Sequence, residues 1–321
     1  MKCIGLLALA LLTAAPAALA QENYPSRPIR LVVPSSPGGV HDIIGRLWAE
    51  KLKSLGTIVI ENRAGAAAII GTVEVARAPA DGYTLLLGSN STHVLQPLLM
   101  SKPAYDPVKD FEVVTVMAAT STSIGVHPGQ PFRTLKELID FARANPGKLS
   151  YAHGGIGGSS HVTGELFKQL AGKLDIVQVP YKGVGPAMSD VISGHVPVLM
   201  ANITSQVIEL NRTGKLRILA VNALTRHDGL PDVPTAIEAG VPDMVAQSFF
   251  GVFAPAGTPK AVLERVNAVT QAAMADNEFR KRLSDAGYEP MLGLGPDKAK
   301  RYIAEESVRW APITKAIGKK E

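Results

Sequence analysis

The sequence of 321 residues contains few of the groups that covalent and metal chemistry use most. Its single cysteine, Cys3, lies next to the N-terminus, so we predict no disulfide, no thiol nucleophile and no cysteine-metal site in the rest of the chain. The seven histidines never show the H-x-x-x-H or H-E-x-x-H spacing of zinc sites. A G-x-S-x-G elbow is also missing, so an α/β-hydrolase triad is not indicated. We therefore predict no catalytic residues, no metal and no cofactor.

Long runs of one residue type are also missing. The formal net charge is +5, but the basic residues are scattered without a run of five or six, so nucleic acid is not a predicted partner. After the first 20 residues, no stretch approaches the 18 consecutive apolar residues of a spanning helix. A composition that is 46% hydrophobic and 19% charged is typical of globular proteins, and the length favours two domains.

Residues 1–20 have the pattern of a secretory signal peptide. Lys2 is followed by an apolar run from Ile4 to Leu12 and then by Ala18-Leu19-Ala20. We predict cleavage before Gln21, which removes the only cysteine. The mature protein is therefore expected in an exported compartment.

The stretch from Ile29 to Leu55 has the order strand, glycine turn, helix. The apolar run Ile29–Val33 is followed by PSSPGG and then by apolar residues at 3.6-residue spacing. Because a helix N-terminus has unpaired amides and a partial positive charge, this turn predicts half of a carboxylate-binding site. The alternative, a tight connection without a ligand, stays open. Asp42 is interpreted as a cap of this helix in preference to a general base.

A second stretch repeats this order. A short strand, Leu149–His153, leads into GGIGGSS and then into a helix that carries Val162 and Leu166 on one face. Four glycines and two serines before a helix are typical of an anion nest, with a flexible loop as the alternative. A third polar loop, Ser89–His93, follows an apolar strand, at the edge where open α/β sheets bind ligands.

The alternation of strands and helices predicts an α/β fold with mostly parallel sheets flanked by helices. There are more strands than one small sheet uses, so we predict two lobes whose glycine loops face a shared cleft. Phe111–Met117 and Ser123–His127 are predicted as two separate strands. Connections between the lobes are expected near 118–123 and 244–250, and no internal repeat is recognised.

Several segments together resemble the Bug family, the periplasmic solute receptors of tripartite tricarboxylate transporters. They include PIRLVVPSSPGGVHDIIGRL, VIENRAGA, ADGYTLLLGS, VPYKGVGPAMSDVISG and FFGVFAPAGTPKAV, and the resemblance runs from Tyr24 to about Trp310. It implies a two-lobed periplasmic-binding-protein fold of type II, with lobe one at 21–120 plus 247–321 and lobe two at 121–246. It also implies a monomer in the periplasm of a Gram-negative bacterium. Its partners would be a small organic carboxylate and a two-component membrane permease with a large and a small subunit.

The resemblance also implies where the carboxylate binds. The loops matching 35–42 and 157–161 would grip one carboxylate, and three further loops would line the pocket. The ligand-binding residues so predicted are Ser35, Ser36, Gly38, Gly39, Val40, His41, Asp42, Ser89, Ser91, Thr92, His93, Gly157, Gly158, Ser159, Ser160, His161, Tyr181, Gly183, Ala201 and Asn202. The histidines in these loops are open to either ligand contact or packing.

Asn202 stands where the family often has an aspartate, and small residues replace aromatic ones at Ser35 and Ala201. The loss of the aspartate favours a plain dicarboxylate, an aromatic acid or a hydroxy acid over an amino acid. Two alternative functions remain: a ligand-sensing partner of a sensor kinase and, with less support, an exported hydrolase.

Overall fold

The computed structural model describes residues 24–318, so the predicted signal peptide lies outside the described residues. Strands and helices alternate along this part of the chain. The strands are β1 (Ile29–Val33), β2 (Ile58–Asn62), β3 (Thr84–Ser89), β4 (Phe111–Val126), β5 (Leu149–His153), β6 (Ile176–Pro180), β7 (Val198–Asn202), β8 (Arg217–Asn222), β9 (Gln247–Pro255) and β10 (Glu289–Pro290). The helices are α1 (Val40–Lys51), α2 (Ile69–Ala76), α3 (Gln96–Leu99), α4 (Leu135–Ala144), α5 (Ser159–Leu170), α6 (Val184–Ile192), α7 (Ser205–Arg212), α8 (Lys260–Ala275), α9 (Asn277–Asp285) and α10 (Pro296–Ile317).

The strands form a mixed sheet, in which β4 pairs with strands from both halves. The order is β2-β1-β3-β9-β4-β7-β5-β6, with β8 and β10 also paired to β4. The pairs β1–β2, β1–β3, β5–β6 and β5–β7 are parallel, whereas every pair that involves β4 or β9 is antiparallel. The fold is two-lobed, with one parallel group of strands in each lobe and the antiparallel strands between them.

One prediction from the sequence is wrong: residues 111–127 do not form two strands. β4 is continuous over 16 residues and pairs with β9 up to Ser121, then with β7 and β8 from Thr122. The polar residues in its middle resemble a loop in sequence, but their hydroxyls are satisfied inside the sheet. Thr120 donates to the carbonyl of Ile203 and Thr122 to the carbonyl of Ala246. Buried hydroxyls with such partners do not need to reach solvent.

This exchange of strand partners supports the proposed division of the chain into lobes. We propose that lobe one consists of residues 21–120 plus 247–321 and that lobe two consists of residues 121–246. The bond from the amide of Thr122 to the carbonyl of Ala246, at 2.9 Å, joins the two crossing segments where the partners change.

The helices that follow the two glycine loops pack on the sheet in the same way. In α1, Gly45 faces Val33 and Leu87 so closely that an added Cβ would lie 3.2 Å from both side chains. In α5, a Cβ on Gly164 would lie 2.3 Å from the Tyr151 ring. Each helix therefore approaches the sheet through a glycine, which fixes the position of its N-terminus. No helix between residues 24 and 318 combines the length and apolar character needed to cross a bilayer.

Candidate carboxylate-binding site

The first glycine loop is built by hydrogen bonds within the loop itself. Gly38 has a φ of +76°, and its amide donates to Oδ2 of Asp42 at 2.8 Å. The amide of Gly39 donates to the carbonyl of Ser36 at 3.0 Å. The two glycines therefore shape the turn, and their amides are not free for a ligand. Gly38 and Gly39 stay predicted site residues, and the geometry leaves the amides of the following helix turn as the donors.

Asp42 supports this loop through its carboxylate. It lies in the first turn of α1, and its carboxylate also accepts from Nε of Arg46 and Nδ2 of Asn62, each at 2.9 Å. Burial alone would raise the pKa of Asp42, but the hydrogen bonds from Arg46, Gly38 and Asn62 hold that pKa below its usual value. The carboxylate is therefore ionised at neutral pH. The N-cap of α1 is Gly39 without a side-chain cap bond, so Asp42 does not cap the helix as predicted; its carboxylate holds the turn before the helix through the amide of Gly38.

The second glycine loop repeats this construction. Gly157 has a φ of +83°, and its amide donates to Nδ1 of His161 at 3.2 Å. Gly158 is the N-cap of its helix in extended conformation, with φ −75° and ψ 165°. Gly39 is the N-cap of α1 with nearly the same angles, φ −73° and ψ 165°. Its amide donates to the carbonyl of Gly155, as that of Gly39 does to Ser36.

The two loops therefore form an internal repeat, which the sequence analysis missed. GGVHDIIG at 38–45 aligns with GGSSHVTG at 157–164, and the shared glycines include the pair that packs on the sheet. Only three of the eight aligned positions are identical, so the sequence similarity is weak. The repeat is recognised from the matching hydrogen bonds and backbone angles of the two loops.

The first turns of α1 and α5 supply the donors for an anion. Within residues 24–318, no acceptor bonds the amides of Val40, His41 or Asp42 in α1. In α5, the amide of Ser159 donates to Oγ of Ser91 at 3.2 Å. The start of this helix can therefore donate to an oxygen that lies outside the helix. Unpaired amides and the helix dipole at both places favour a negatively charged group.

Residues from the two lobes meet beside these helix starts. The Ser91–Ser159 bond connects the loop after β3 with α5. Gln96, which is buried, directs Nε2 to the carbonyl of Ile156 at 3.3 Å and to that of Ala67 at 3.5 Å. Sequence reasoning did not single out Gln96, because a lone glutamine between apolar residues carries no motif.

The turn of Ala66–Ala68 lies at the same contact in a strained conformation. Its three residues have φ values of +46°, +48° and +82°, in the left-handed region that alanine rarely adopts. Ala67 faces the second glycine loop, since a Cβ on Gly155 would lie 3.6 Å from the Ala67 Cβ. Strain of this kind is typical of segments that the surrounding structure holds for function.

Replacing Ala68 with glycine is expected to stabilise the protein. Left-handed backbone costs a non-glycine residue about 1–2 kcal/mol. Glycine avoids this cost, but it loses more backbone entropy on folding than alanine does, so the net gain is smaller. We expect the free energy of unfolding to rise by about 1 kcal/mol in urea titrations. The matched control is Ala272→Gly at an exposed position of α8, where the same change should lower it by about 1 kcal/mol. A loss of stability in both variants would contradict the strain at Ala68.

Uncharged polar groups surround the second helix start. Oγ of Ser159 donates to Oδ1 of Asn202 at 3.0 Å, and Nδ2 of Asn202 is buried without a partner in the described chain. On the lobe-one side, Nε2 of His41 is likewise buried without a partner. Burial lowers the pKa of His41 to about 4, so its imidazole is neutral.

Other predicted residues lie in the core, away from these helix starts. The ring of His93 stacks on Phe253 with 3.6 Å between centroids, and its Nδ1 shares a hydrogen bond with Oγ1 of Thr92. Burial lowers the pKa of His93 to about 3. The hydroxyl of Thr92 also bonds the backbone of Ser89, in both directions. Because Thr92 and His93 are bonded and packed inside lobe one, we leave both out of the proposed site.

Ala201 also faces away from the site. It alternates with Asn202 along β7, so its side chain packs into the lobe-two core beside Ile203 and Val207. The expectation that Ala201 lines the pocket therefore has no support in its contacts. Tyr181 donates to Asp190 of α6, and Gly183, at φ +140°, lies near Oγ of Ser36 across the lobes.

Comparison with known proteins identifies the family of this chain. A family model described as the tripartite tricarboxylate transporter family receptor matches residues 44–319. The chain belongs to this receptor family, which includes the Bug proteins. BugT of Bordetella pertussis is 35% identical over 95% of this chain and 93% of its own length. A UPF0065 protein from the tcbD–tcbE intergenic region of Pseudomonas sp. strain P51 is 39% identical over 96% of this chain and 91% of that protein.

Solved structures of similar receptors contain carboxylates. A Rhodopseudomonas palustris protein solved with adipate superimposes with a TM-score of 0.87 at 34% identity, covering 91% of this chain and 98% of that one. MatC of the same organism, solved with bound malate, has a TM-score of 0.85 at 33% identity, covering 91% of this chain and 100% of its own. The Bug-family chain described here thus has the fold of periplasmic solute-binding proteins.

Proposed function

We propose that this protein is a periplasmic receptor that captures a small organic carboxylate between its lobes and delivers it to a two-component membrane permease. The observation that carries the proposal is the pair of equivalent helix starts, one in each lobe, that present amide donors beside a contact between the lobes. One carboxylate can accept from both helices only when the lobes are together. Closure around the ligand would thus be coupled to binding.

The polar groups near the site favour an acid without an ammonium group. Asn202, Ser159 and the neutral His41 offer hydrogen bonds but no negative charge close to the helix starts. The carboxylate of Asp42 is already engaged by Arg46 and Asn62. We therefore propose a dicarboxylate, an aromatic acid or a hydroxy acid as the ligand. The adipate and malate bound by the two R. palustris proteins fall in this class.

Thermal denaturation with a panel of carboxylates and amino acids tests this function. A ligand at about 100 times its dissociation constant adds about 2.7 kcal/mol of stability, which corresponds to a rise in Tm of roughly 4 °C for a chain of this size. We expect mono- or dicarboxylates to produce such a shift and amino acids to produce none. Stabilisation by amino acids alone would show that the ligand class is wrong. No shift with any organic acid would reject the receptor function.

A further inference from the structure

One turn of the chain in lobe one carries two side chains that bond lobe two. Ser91–Leu95 forms a turn of π-helix, which the amide of Gln96 closes by donating to the carbonyl of Ser91. This bond brings Ser91 and Gln96 onto the same face of the turn, and turns of this width often occur at functional sites. From that face, Oγ of Ser91 accepts from the amide of Ser159 at 3.2 Å. Nε2 of Gln96 donates to the carbonyl of Ile156 at 3.3 Å.

The side chain of Gln96 fills the space beside Gly157. It is only 2% exposed. A Cβ on Gly157 would lie 2.6 Å from Nε2 of Gln96 and 3.0 Å from both its Cδ and its Oε1. A larger residue at position 157 would therefore displace the Gln96 amide group from the lobe-two loop.

The same amide group connects this loop with the strained turn of lobe one. Nε2 of Gln96 also donates to the carbonyl of Ala67 at 3.5 Å. The Cβ of Ala67 would lie 3.6 Å from an added Cβ on Gly155 and 3.9 Å from one on Gly158. Three glycines of the lobe-two loop, at 155, 157 and 158, thus face two residues of lobe one. The absence of their side chains lets the two surfaces approach closely.

We propose that Gln96 is a latch, a positioning residue that holds the two lobes together, with Ser91 as the second contact on the same turn. Both bonds join groups of the protein itself, so they stabilise the closed arrangement in addition to any carboxylate in the cleft. Opening of the lobes must break them. Gln96 therefore sets how long a captured carboxylate is retained, a consequence that rests on the proposed function.

Exchange of the Ser159 amide with water, followed by NMR of the isotope-labelled protein without added ligand, tests the latch. This amide is bonded to a hydroxyl across the lobes, at 3.2 Å from Oγ of Ser91. The amide of Glu137 is the internal reference, because it is bonded to Oγ1 of Thr134 at the same 3.2 Å but within lobe two. In the parent protein we expect Ser159 to exchange about tenfold more slowly than an unstructured peptide amide. Exchange at the unprotected rate would show that the lobes lie apart and would overturn the proposal.

Gln96→Met keeps the length and bulk of the side chain but removes both donors. A neutral hydrogen bond corresponds to about a fivefold change in an equilibrium constant, so the Ser159 amide should exchange about fivefold faster in this variant. The Glu137 amide should keep its parental rate. A Ser159 amide that exchanges as in the parent in folded Gln96→Met would refute the latch.

Gln271→Met is the matched control for the loss of a bonded amide. Nε2 of Gln271 also has two partners, Oγ1 of Thr115 at 3.0 Å and Oδ1 of Asn267 at 3.4 Å, and all three residues belong to lobe one. Its loss should leave the exchange of Ser159 unchanged. Small-angle X-ray scattering separates opening of the lobes from local fraying, since only opening enlarges the radius of gyration. A radius of gyration in Gln96→Met equal to that of Gln271→Met would assign the faster exchange to fraying and reject the latch.

Dissociation of adipate and malate, measured by surface plasmon resonance, provides the readout that depends on the proposed function. If release requires the latch to break, the dissociation rate should be about fivefold higher in Gln96→Met than in the parent. Gln271→Met should release both acids at the parental rate. Equal rates in Gln96→Met and the parent would contradict the role of Gln96 in retention. If neither acid binds the parent, that ligand assignment fails, whereas the exchange of Ser159 still decides whether Gln96 holds the lobes.

Discussion

Replacement of Gly158 by valine is expected to weaken carboxylate binding by about 100-fold while leaving the fold intact. Gly158 is the N-cap of α5 and has extended backbone angles that valine can adopt. The new side chain would cover the helix start, where the amide of Ser159 donates to an oxygen outside the helix. Each hydrogen bond to a charged group contributes about 1.5–3 kcal/mol, so the loss of one or two bonds corresponds to about two orders of magnitude in Kd.

Calorimetric titration with the acid that gives the largest thermal shift measures this effect. Gly158→Ala should have a smaller effect, because its Cβ would lie 3.3 Å from the carbonyl oxygen of Gly155 and 3.9 Å from the Cβ of Ala67 and would reach no further. Gly185→Ala is the matched control at an exposed helical glycine with open space around it, and its affinity should equal that of the parent. A folded Gly158→Val variant that binds as tightly as the parent would remove the α5 start from the site.

The sequence predicted the two glycine loops because their signal is local. A strand, a glycine turn and an amphipathic helix follow one another in the chain, and each part has a physical reason that needs no distant contact. The helix of 135–144 has a local signal of the same kind, since Thr134 and Glu137 have the spacing of a capping box and form one in the structure. The number of strands already favoured two lobes, and the resemblance of the segments to a known family added the type of periplasmic-binding-protein fold.

Features that depend on contacts between distant segments were missed. Thr120 and Thr122 resemble loop residues until the carbonyls of Ile203 and Ala246 are placed beside them. Gln96 acquires a role only when Ile156, sixty residues later, lies next to it. His93 was assigned to a polar loop, although the aromatic rings that enclose it come from β4 and β9.

The enclosure of His93 depends on two glycines that face each other across neighbouring strands. Gly88 of β3 pairs directly with Gly251 of β9. A Cβ on Gly88 would lie 2.6 Å from the Phe253 ring and 2.7 Å from the His93 ring. The stacked rings thus occupy the space that a side chain at Gly88 would need, and the Phe253 ring would also lie 3.3 Å from a Cβ on Gly251. An aromatic ring over a cross-strand glycine is a known way of stabilising such a pair.

Among substitutions that add a single methyl group in this region, Gly251→Ala is therefore expected to lower the free energy of unfolding the most. Its Cβ would lie 2.3 Å from the backbone carbonyl oxygen of Thr115, which cannot rotate away as a side chain could. The neighbouring β4–β9 register already shifts on both sides of this place, between Val113 and Thr115 and between Val116 and Ala118. Overpacking of a core commonly costs about 1–3 kcal/mol, and a backbone clash between two central strands should lie at or above the upper end.

Urea unfolding and the yield of soluble protein measure this cost. We expect Gly251→Ala to lose about 3 kcal/mol or to accumulate as insoluble protein, whereas Gly185→Ala, at an exposed helical position, should be neutral or slightly stabilising. Because β9 and β4 are the strands that cross between the lobes, the same variant should also bind carboxylate less tightly even where it folds. A Gly251→Ala protein with parental stability would mean that β4 and β9 separate at Thr115, and the continuous pairing that joins the lobes would then be wrong.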